Sequence, residues 1–358
     1  MKVRLIILFL VLGVASCKVP YSKKDVFEEK AELPKDEAPH FKNSLEWWYF
    51  TGHLKDEEKN KTLGVEYVVF HFNPTNIKGG WMVNMAVSDP ENEAFYYDHQ
   101  FFPKSKYEFN ELPLNFNWSK KQFKSSLKGQ NGFYELAAHF SKDSIIMNLK
   151  TRSEKEVVLH DGIGYENYGD IARAGYYSFP RLKTKGQINL NGEQFNVNGN
   201  LWYDRQWNCS GVFDKKVAWD WFSIQFEETH SELMLYRLYS LKDSSVIFGG
   251  TYTNAENESV FLENEQINIT ELKHWVSPDS DAKYPVEWQI EVPDVGLTTN
   301  LKTLFPSQEL ELNFGPLTEF YYWEGMCEAV GVIKGLKVKG KSYVEMTNRF
   351  RIKEAKTK

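Results

Sequence analysis

The chain has 358 residues and a formal net charge of −6, with 15% aromatic and 26% charged residues. An acidic chain without a basic tract is unsuited to a phosphate backbone, so nucleic acid is excluded as a partner. The aromatic share indicates extensive buried surface or an aromatic-lined ligand site. Once a leader is removed, about 320 residues remain, more than one hydrophobic core usually organises, so two domains are expected.

The N-terminus has the pattern of a secretory signal. A basic start precedes an apolar run over residues 5–15, which is shorter than the roughly 20 residues that cross a bilayer. Residues 14–17 (VASC) resemble a bacterial lipobox, in which the Cys is acylated and becomes the new N-terminus. The alternative is an ordinary signal peptide with an incidental Cys. We expect residues 1–16 to be a lipoprotein signal and Cys17 to carry the lipid that anchors the chain to a membrane.

The stretch that follows is predicted to be a tether. Residues 17–40 are rich in Lys, Glu, Asp and Pro and contain few large apolar side chains. They bury too little surface to offset the entropy of ordering, so we expect a flexible, charged spacer. Lys18 is not an acidic residue of the kind that retains lipoproteins at the inner membrane. We therefore expect an exported protein of the bacterial cell envelope, held at the outer membrane.

From residue 46 onward the chain has the pattern of many short strands. The segments are rich in Val, Ile, Phe, Tyr and Trp, and Gly, Asn, Asp or Pro separates many of them. Long helical periodicity is absent, which predicts an all-β fold of antiparallel sandwiches or barrels. The predicted strands are 46–54, 65–72, 81–87, 95–101, 134–140, 145–150, 186–190, 195–202, 219–226, 232–238, 246–252, 267–272, 288–292, 297–303, 321–332 and 343–350.

A faint internal repeat divides these strands into two units. Residues 197–204 and 338–345 share the pattern Val-x-Gly-x-x-aromatic-x-acid, and residues 46–50 echo residues 219–222. Each half would then open on a Trp-rich strand and close on the strand that carries the acid. Chance similarity between aromatic strands is the alternative.

Three motifs, in this order, resemble signatures of the AttH/CrtC-type lipocalin-like proteins. They are EWWYFTGHL at 46–54, WYDRQW at 202–207 followed by WDWF at 219–222, and YWEG at 322–325 with Gly340 and YVE at 343–345. The resemblance spans roughly residues 41–350. It implies two antiparallel lipocalin-like β-barrels packed side by side, and kinship with carotenoid 1,2-hydratases, which are lyases that add water across an isoprenoid double bond.

We place the first barrel at residues 41–208 and the second at residues 209–352. Arg205 stands where many family members carry His. An Arg side chain stays protonated, so we predict no proton transfer at this position.

The central motif supplies candidate catalytic groups. In a strand, Trp202, Asp204 and Gln206 share one face. A carboxylate among large apolar groups must be paired, hydrogen-bonded or protonated, and a protonated one is a candidate acid catalyst. Hydration of an alkene needs such an acid, together with aromatic faces that stabilise the resulting cation. We therefore assign Asp204 as proton donor, with Trp202, Trp219 and Trp221 as an aromatic wall.

Further residues complete the predicted site. Asp220 lies between two Trp residues and is a second candidate acid, while Tyr203 or Glu324 is a candidate to orient the water. The predicted ligand-binding residues are Trp48, His53, Trp202, Gln206, Trp207, Trp219, Trp221, Tyr322 and Glu324. The alternative interpretation is structural, with Trp side chains that fill a barrel core and a carboxylate that pairs with Arg205.

Three functions remain open at this stage. The chain is a binder of a hydrophobic isoprenoid- or lipid-like molecule, a lyase that hydrates or isomerises such a molecule, or a structural envelope protein. No cofactor is predicted, because the sequence contains no P-loop, no His-Glu-x-x-His and no Cys/His metal spacing. Cys209 and Cys327 either pair in an oxidising envelope or remain isolated thiols, and the oligomeric state is not determined by the sequence.

Overall fold

The computed structural model describes residues 30–43, 45–73, 79–103, 109, 111–142, 144–169, 173–208, 217–241, 244–313 and 319–349. Within these ranges the chain is all-β and antiparallel, as predicted, and its helical elements are short 3₁₀ turns. None of the described helices has the length and apolar character needed to cross a membrane. The predicted signal, Cys17 and Cys209 lie outside the described residues.

The first sheet contains the strands that precede residue 208. They are β1 Leu45–Asp56, β2 Lys61–Phe72, β3 Gly80–Asp89, β4 Ala94–Pro103, β5 Leu114–Lys120, β6 Phe123–Gln130, β7 Phe133–His139, β8 Ile145–Ser153, β9 Val158–Leu159, β10 Tyr165–Asn167, β11 Arg173–Leu190 and β12 Glu193–Trp207. Their order is β4-β3-β2-β1-β12-β11-β8-β7-β6-β5, with β9 and β10 paired to β11.

The second sheet contains the strands that follow residue 216. They are β13 Val217–Phe226, β14 Glu232–Ser240, β15 Val246–Thr253, β16 Ser259–Glu263, β17 Asn268–Val276, β18 Lys283–Val292, β19 Leu297–Thr303, β20 Glu309–Asn313, β21 Glu319–Ile333 and β22 Leu336–Thr347. Their order is β16-β15-β14-β13-β22-β21-β19-β18-β17, with β20 paired to β21. In both sheets the opening strand (β1 or β13) pairs with the closing strand (β12 or β22).

Each sheet curves around its own core, and we refer to the two units as the first and second barrels. Alternation sends one face of every strand inward. In β12 the inward side chains include Leu201, Tyr203 and Trp207, which pack with the first core. In β13 they include Phe222 and Ile224, which pack with the second core. Both interiors are filled by side chains, so the barrels offer packed cores rather than open cups.

Turn chemistry fixes the register of the central hairpin in the first barrel. Asn191 and Gly192 connect β11 to β12, and both have positive φ angles, of 53° and 90°. Two such residues form the type I′ turn whose twist matches that of antiparallel strands. Beyond a register shift between Phe179 and Leu182, the same two strands set Ser178 opposite Asp204.

The outward faces of β1, β2 and β12 meet those of β13, β14 and β22. Between them lies a third apolar cluster that includes Tyr49, Tyr176, Trp202, Trp221 and Tyr236. This cluster belongs to neither barrel interior. It joins the two barrels into one molecule and encloses the candidate site.

The structure corrects the predicted spacer at its C-terminal end. Residues 30–40 pack on the first barrel, where the Glu37 side chain is fully buried. Tyr134 and Tyr203 each donate a hydroxyl hydrogen bond of 2.7 Å to Glu37 Oε1. The prediction failed here because it counted apolar side chains, whereas this segment is fixed by hydrogen bonds to a buried carboxyl group.

Candidate functional site

A cavity of about 80 Å³ lies between the two barrels. Its walls are mainly aromatic and aliphatic, and both barrels contribute to them. Trp47 and Tyr49 come from β1, Trp219 and Trp221 from β13. The polar side chains that line it are Asp204, Gln206, Glu345 and Thr347, together with Tyr hydroxyl groups. Two carboxyl groups, one from each barrel, therefore face a space enclosed largely by aromatic rings.

Asp204 is 2% exposed and is held by neutral donors. Trp202 Nε1 donates to Oδ1 at 2.6 Å, Ser178 Oγ to Oδ1 at 2.5 Å, and Tyr176 OH to Oδ2 at 2.6 Å. Burial raises the pKa of Asp204 to about 6, and these hydrogen bonds limit the rise because they stabilise the charged form. At neutral pH the group is mainly a carboxylate.

Glu345 is the corresponding acid of the second barrel. Trp219 Nε1 donates to its Oε1 at 2.6 Å. Burial raises the pKa of Glu345 to about 7; the Trp219 hydrogen bond opposes the rise and the charge of Asp204 adds to it. Near neutrality Glu345 is thus divided between its acid and carboxylate forms, whereas Asp204 is mainly ionised.

Two further carboxyl groups stand behind Glu345. Glu324 is its cross-strand neighbour and accepts a 2.8 Å hydrogen bond from Tyr49 OH. Glu66 accepts hydrogen bonds of 3.1 and 3.2 Å from Asn84 Nδ2. Burial, followed by the charge of Glu345, raises the pKa of both groups well above the usual range. We infer that Glu324 and Glu66 are protonated at neutral pH, so that only part of this acidic cluster carries charge.

The aromatic walls satisfy most of their own polar atoms. Trp221 Nε1 donates to Tyr176 OH at 3.0 Å, and Gln206 Nε2 donates to Tyr168 OH at 2.6 Å. The Trp221 ring lies edge-on to Tyr49, with centroids 5.4 Å apart. Since these NH and OH groups already have partners, a ligand would mainly contact the faces and edges of the aromatic rings.

Several residues predicted from the sequence meet at this cavity. Asp204, Gln206, Trp219, Trp221 and Tyr322 line it. Trp202 and Glu324 do not line it, but each is next to one of its carboxyl groups, Trp202 as a donor to Asp204 and Glu324 as the neighbour of Glu345.

Three predicted residues lie inside the first barrel instead. Tyr203 donates a hydrogen bond to the Glu37 carboxyl group, and Trp48 donates one to the Glu37 backbone carbonyl. Trp207 stacks on His40, with ring centroids 5.1 Å apart. The physical reason is strand alternation, because each of them lies one position from a residue that faces the cavity. The predicted catalytic role of Tyr203 and the predicted ligand contacts of Trp48 and Trp207 are corrected accordingly.

Asp220 is also separated from the cavity. It shares the inward face of β13 and is fully buried, with Arg237 Nη2 at 2.6 Å and Arg349 Nη2 at 2.5 Å. Tyr239 OH donates a further hydrogen bond of 2.9 Å. A carboxylate held by two guanidinium groups is a structural ion pair, so the predicted acid catalysis by Asp220 is corrected.

Two other expectations also change. His53 was predicted to bind the ligand, but its Nε2 lies 2.9 Å from the Ser342 carbonyl oxygen and it does not line the cavity. Arg205 pairs with Glu46 at 2.6 Å and not with Asp204, so the alternative of an Asp204–Arg205 ion pair is wrong. Cys327 is a buried free thiol.

Glu345, Tyr176 and Ser178 also belong to this site, although they were not among the residues predicted from the sequence. The internal repeat was the signal for Glu345, because it aligns this residue with Asp204. Both residues line the cavity. Tyr176 and Ser178 lie in the first half of β11, which was not predicted to be a strand. The three aromatic residues within 174–179, which favour a strand, were the available signal. Among the described residues, no group of three or more His, Cys, Asp or Glu side chains could hold a metal ion.

The two antiparallel sheets, each closed around its own core, are consistent with two lipocalin-like barrels joined back to back. A family model described as AttH-like matches residues 26–349, and the chain belongs to this family. The fold is similar to the crystal structure of an AttH protein from Nitrosomonas europaea, with a TM-score of 0.76, 23% identity, and coverage of 90% of this chain and 98% of that one.

Two further solved structures share the fold. Kievitone hydratase from Nectria haematococca matches with a TM-score of 0.66, 15% identity, and coverage of 90% of this chain and 94% of that one. CghA crystallised with Sch210972 matches with a TM-score of 0.57, 10% identity, and coverage of 85% and 88%. A search of curated protein sequences finds no match.

Proposed function

We propose that this chain binds a hydrophobic, unsaturated small molecule of isoprenoid or lipid type between its barrels and adds water to it. One observation carries the proposal: Asp204 and Glu345, from different barrels, both line one aromatic cavity. Their pKa values, about 6 and about 7, lie near neutrality, where general acid–base catalysis is most effective. The fold shared with a protein named as a hydratase adds support.

The two carboxyl groups suggest a division of labour. The Glu345 carboxylic acid would give its proton to one alkene carbon, and the adjacent carbon would become cationic. The ring faces of Trp219 and Trp221 would stabilise that cation. A water oxygen would then bond to it and lose a proton to the Asp204 carboxylate. If Asp204 removed a proton from a neighbouring carbon instead, the same site would isomerise the double bond.

This assignment revises the role that the sequence suggested for Asp204. Three donors surround its oxygens, which favours the ionised form and therefore the base. For Glu345, burial and the charge of Asp204 outweigh the hydrogen bonds that lower its pKa, which favours the protonated form and therefore the acid. After one turnover, transfer of the proton from Asp204 to Glu345 restores the starting state.

The cavity size sets a condition on binding. A volume of about 80 Å³ is below the roughly 300–1,000 Å³ typical of ligand pockets. A guest of isoprenoid size therefore requires lining side chains to rotate. We expect the fluorescence of the cavity Trp residues to change when such a guest enters.

The test begins with molecules that the natively purified chain retains. They are extracted, identified by mass spectrometry, and returned to the protein in water enriched in oxygen-18. We expect one labelled oxygen per converted molecule with the wild-type chain, and none with the double variant Asp204→Asn/Glu345→Gln. Glu37→Gln is the matched control, because it makes the same carboxyl-to-amide change at a buried group outside the cavity.

The second candidate function is a carrier without catalysis. It is favoured by the apolar walls, whose polar atoms largely satisfy one another. Retained molecules that never acquire label would support the carrier and contradict the hydratase. Recovery of nothing above background would contradict both functions and favour a structural envelope protein.

We further propose that the chain is exported and anchored in the bacterial cell envelope through an acylated Cys17. This rests on the basic start, the short apolar run and the VASC motif of the sequence. Growth with radiolabelled palmitate should label the wild-type chain but not Cys17→Ser. Equal labelling of the two would contradict the anchor, and fractionation of the envelope would test the outer-membrane location.

A further inference from the structure

A chain of hydrogen bonds connects Asp204 in the first barrel with Thr251 in the second. Ser178 Oγ lies 2.5 Å from Asp204 Oδ1, His160 Nε2 lies 2.8 Å from Ser178 Oγ, and Thr251 Oγ1 lies 2.9 Å from His160 Nδ1. The three residues beyond Asp204 are at most 3% exposed, and none of them lines the cavity. The candidate base is therefore linked to the opposite barrel through groups that a ligand would not touch.

The direction of these hydrogen bonds follows from the carboxylate. An ionised Asp204 only accepts, so Ser178 donates its single hydroxyl proton to it. Ser178 Oγ must then accept from His160, which requires the proton of a neutral imidazole to reside on Nε2. Nδ1 is left as an acceptor, and the Thr251 hydroxyl donates to it.

The surroundings of His160 keep it neutral. It is fully buried, and burial lowers its pKa to about 3. The ring of Tyr176 lies against it, with centroids 4.0 Å apart. The residue sits in the 3₁₀ turn His160–Gly162 of the first barrel, whereas Thr251 belongs to β15 of the second. The docking of one barrel on the other thus completes the hydrogen bonds of this His.

Other groups also face Asp204 and contribute to its titration. Tyr176 donates from β11, Trp202 donates from its own strand, and Tyr49 is the cross-strand neighbour on β1. Glu345 faces Asp204 from β22, and the charge of Asp204 raises the pKa of Glu345. The Ser178–His160 branch is distinct from all of them because it leads away from the cavity.

We propose that His160 is a positioning residue for this site. Fixed as its Nε2–H tautomer between Ser178 and Thr251, it orients the Ser178 hydroxyl toward Asp204 and so keeps that carboxylate aligned and ionised. The inference rests on the proposed role of Asp204 as the base. Its tests use the protein without any substrate, so that the two proposals can fail separately.

The first test reads the tautomer directly. Nitrogen-15 NMR of His-labelled wild-type protein, with His160 assigned from its absence in His160→Gln, should show a neutral Nε2–H ring from about pH 5 to 9. Thr251→Val, which keeps the side-chain shape, should shift the Nδ1 resonance because its donor is lost. Thr251→Ser keeps the hydroxyl and should restore the wild-type signal. A cationic ring or an Nδ1–H tautomer in the wild type would overturn the proposal.

The second test reads the consequence at Asp204. Carbon-13 NMR of Asp-labelled protein gives the pKa of its carboxyl, assigned from Asp204→Asn. Ser178→Ala should raise that pKa by about one unit, because a hydrogen bond to the charged form is lost. His160→Leu should raise it by less, and His160→Gln, whose amide can donate from a similar position, should leave it near the wild-type value. If the pKa of Asp204 is unchanged in both Ser178→Ala and His160→Leu, His160 has only a packing role and the proposal is wrong.

Discussion

Asp204 and Asp220 are both buried carboxylates next to Trp residues, and the sequence made both of them candidate acids. Their surroundings differ in charge. Asp220 contacts the guanidinium groups of Arg237 and Arg349 at 2.6 and 2.5 Å. Asp204 accepts hydrogen bonds from neutral donors and faces a cavity.

The difference shows what separates a carboxylate held in an ion pair from one that can exchange a proton. Fixed positive charge favours the ionised form of a neighbouring carboxylate. In the Asp220 cluster, Glu271 illustrates this. Although burial alone would raise its pKa, Arg349 and Arg237 lower it to about 2. Neutral donors leave the pKa of Asp204 at about 6, where it can gain and lose a proton.

The sharpest test of this contrast removes the charge of Asp204. We expect Asp204→Asn to lower oxygen-18 incorporation by roughly 10²–10⁴-fold, the usual contribution of a general acid or base. Asn still offers an oxygen to Trp202 and Ser178, so urea denaturation at pH 7 should change by no more than about 1 kcal/mol. Undiminished oxygen-18 incorporation by Asp204→Asn would contradict a role for Asp204 as a general acid or base.

The same substitution at Asp220 should act on stability instead. Asp220→Asn leaves Arg237 and Arg349 without their shared carboxylate, and loss of one partner of a buried ion pair costs about 3–5 kcal/mol. Urea denaturation would measure this loss. A cost below about 1 kcal/mol would mean that Glu271 alone neutralises both guanidinium groups.

The pH dependence of stability should reveal both kinds of carboxylate. The folded-state pKa values of Asp204 and Glu345 exceed their ordinary values of 3.8 and 4.5, so the native state binds more protons. The free energy of unfolding should therefore fall as pH rises from about 4 to 7, by roughly 3 kcal/mol per carboxyl. Glu271, with its lowered pKa, gives the opposite slope between about pH 2 and 4.5.

Urea denaturation over this pH series is the measurement. In Asp204→Asn/Glu345→Gln the decline between pH 4 and 7 should become shallower but not vanish, because the pKa values of Glu324, Glu66 and Glu37 are also raised. The rise at lower pH should persist. A decline as steep as that of the wild type would assign it to those other groups.

The smallest effect is expected at Glu37, a buried carboxyl that also has neutral partners. Its pKa is raised by burial, although Tyr203 and Tyr134 donate to it. Gln imitates the protonated acid, so Glu37→Gln should change the free energy of unfolding by less than about 1 kcal/mol. Glu37→Ala leaves buried hydroxyl groups unsatisfied and should lower the free energy of unfolding by about 2 kcal/mol. Thermal unfolding of the two variants would compare them. Equal losses would show that Glu37 is needed as a charge.

Much of the fold followed from short-range patterns. Period-two alternation and turn residues located most strands, and the family motifs implied the two barrels. The first half of β11 was missed because Pro180 interrupts it, and a Pro argues against a central strand. In the structure, the register between β11 and β12 shifts between Phe179 and Leu182, so Pro180 sits at an irregularity that the sheet accommodates.

For the site, alternation correctly grouped Trp202, Asp204 and Gln206 on one face and Tyr203 and Trp207 on the other. It gave no sign of which face would look into a barrel and which would look outward. Both faces carry large aromatic residues, because each packs against an apolar cluster. For this reason the predicted site wrongly combined residues from both faces of the strand.

The amino-acid sequence by itself determined the strand pattern, the faces of each strand and the motifs of the family, because these depend on neighbours a few positions apart. Only the tertiary structure decided that the site lies between the barrels and that Glu345 joins Asp204 there. The partners come from distant parts of the chain: Tyr49 donates to Glu324 across 275 positions. Whether a buried carboxyl meets an Arg or a Tyr depends on such contacts, and local sequence does not encode them.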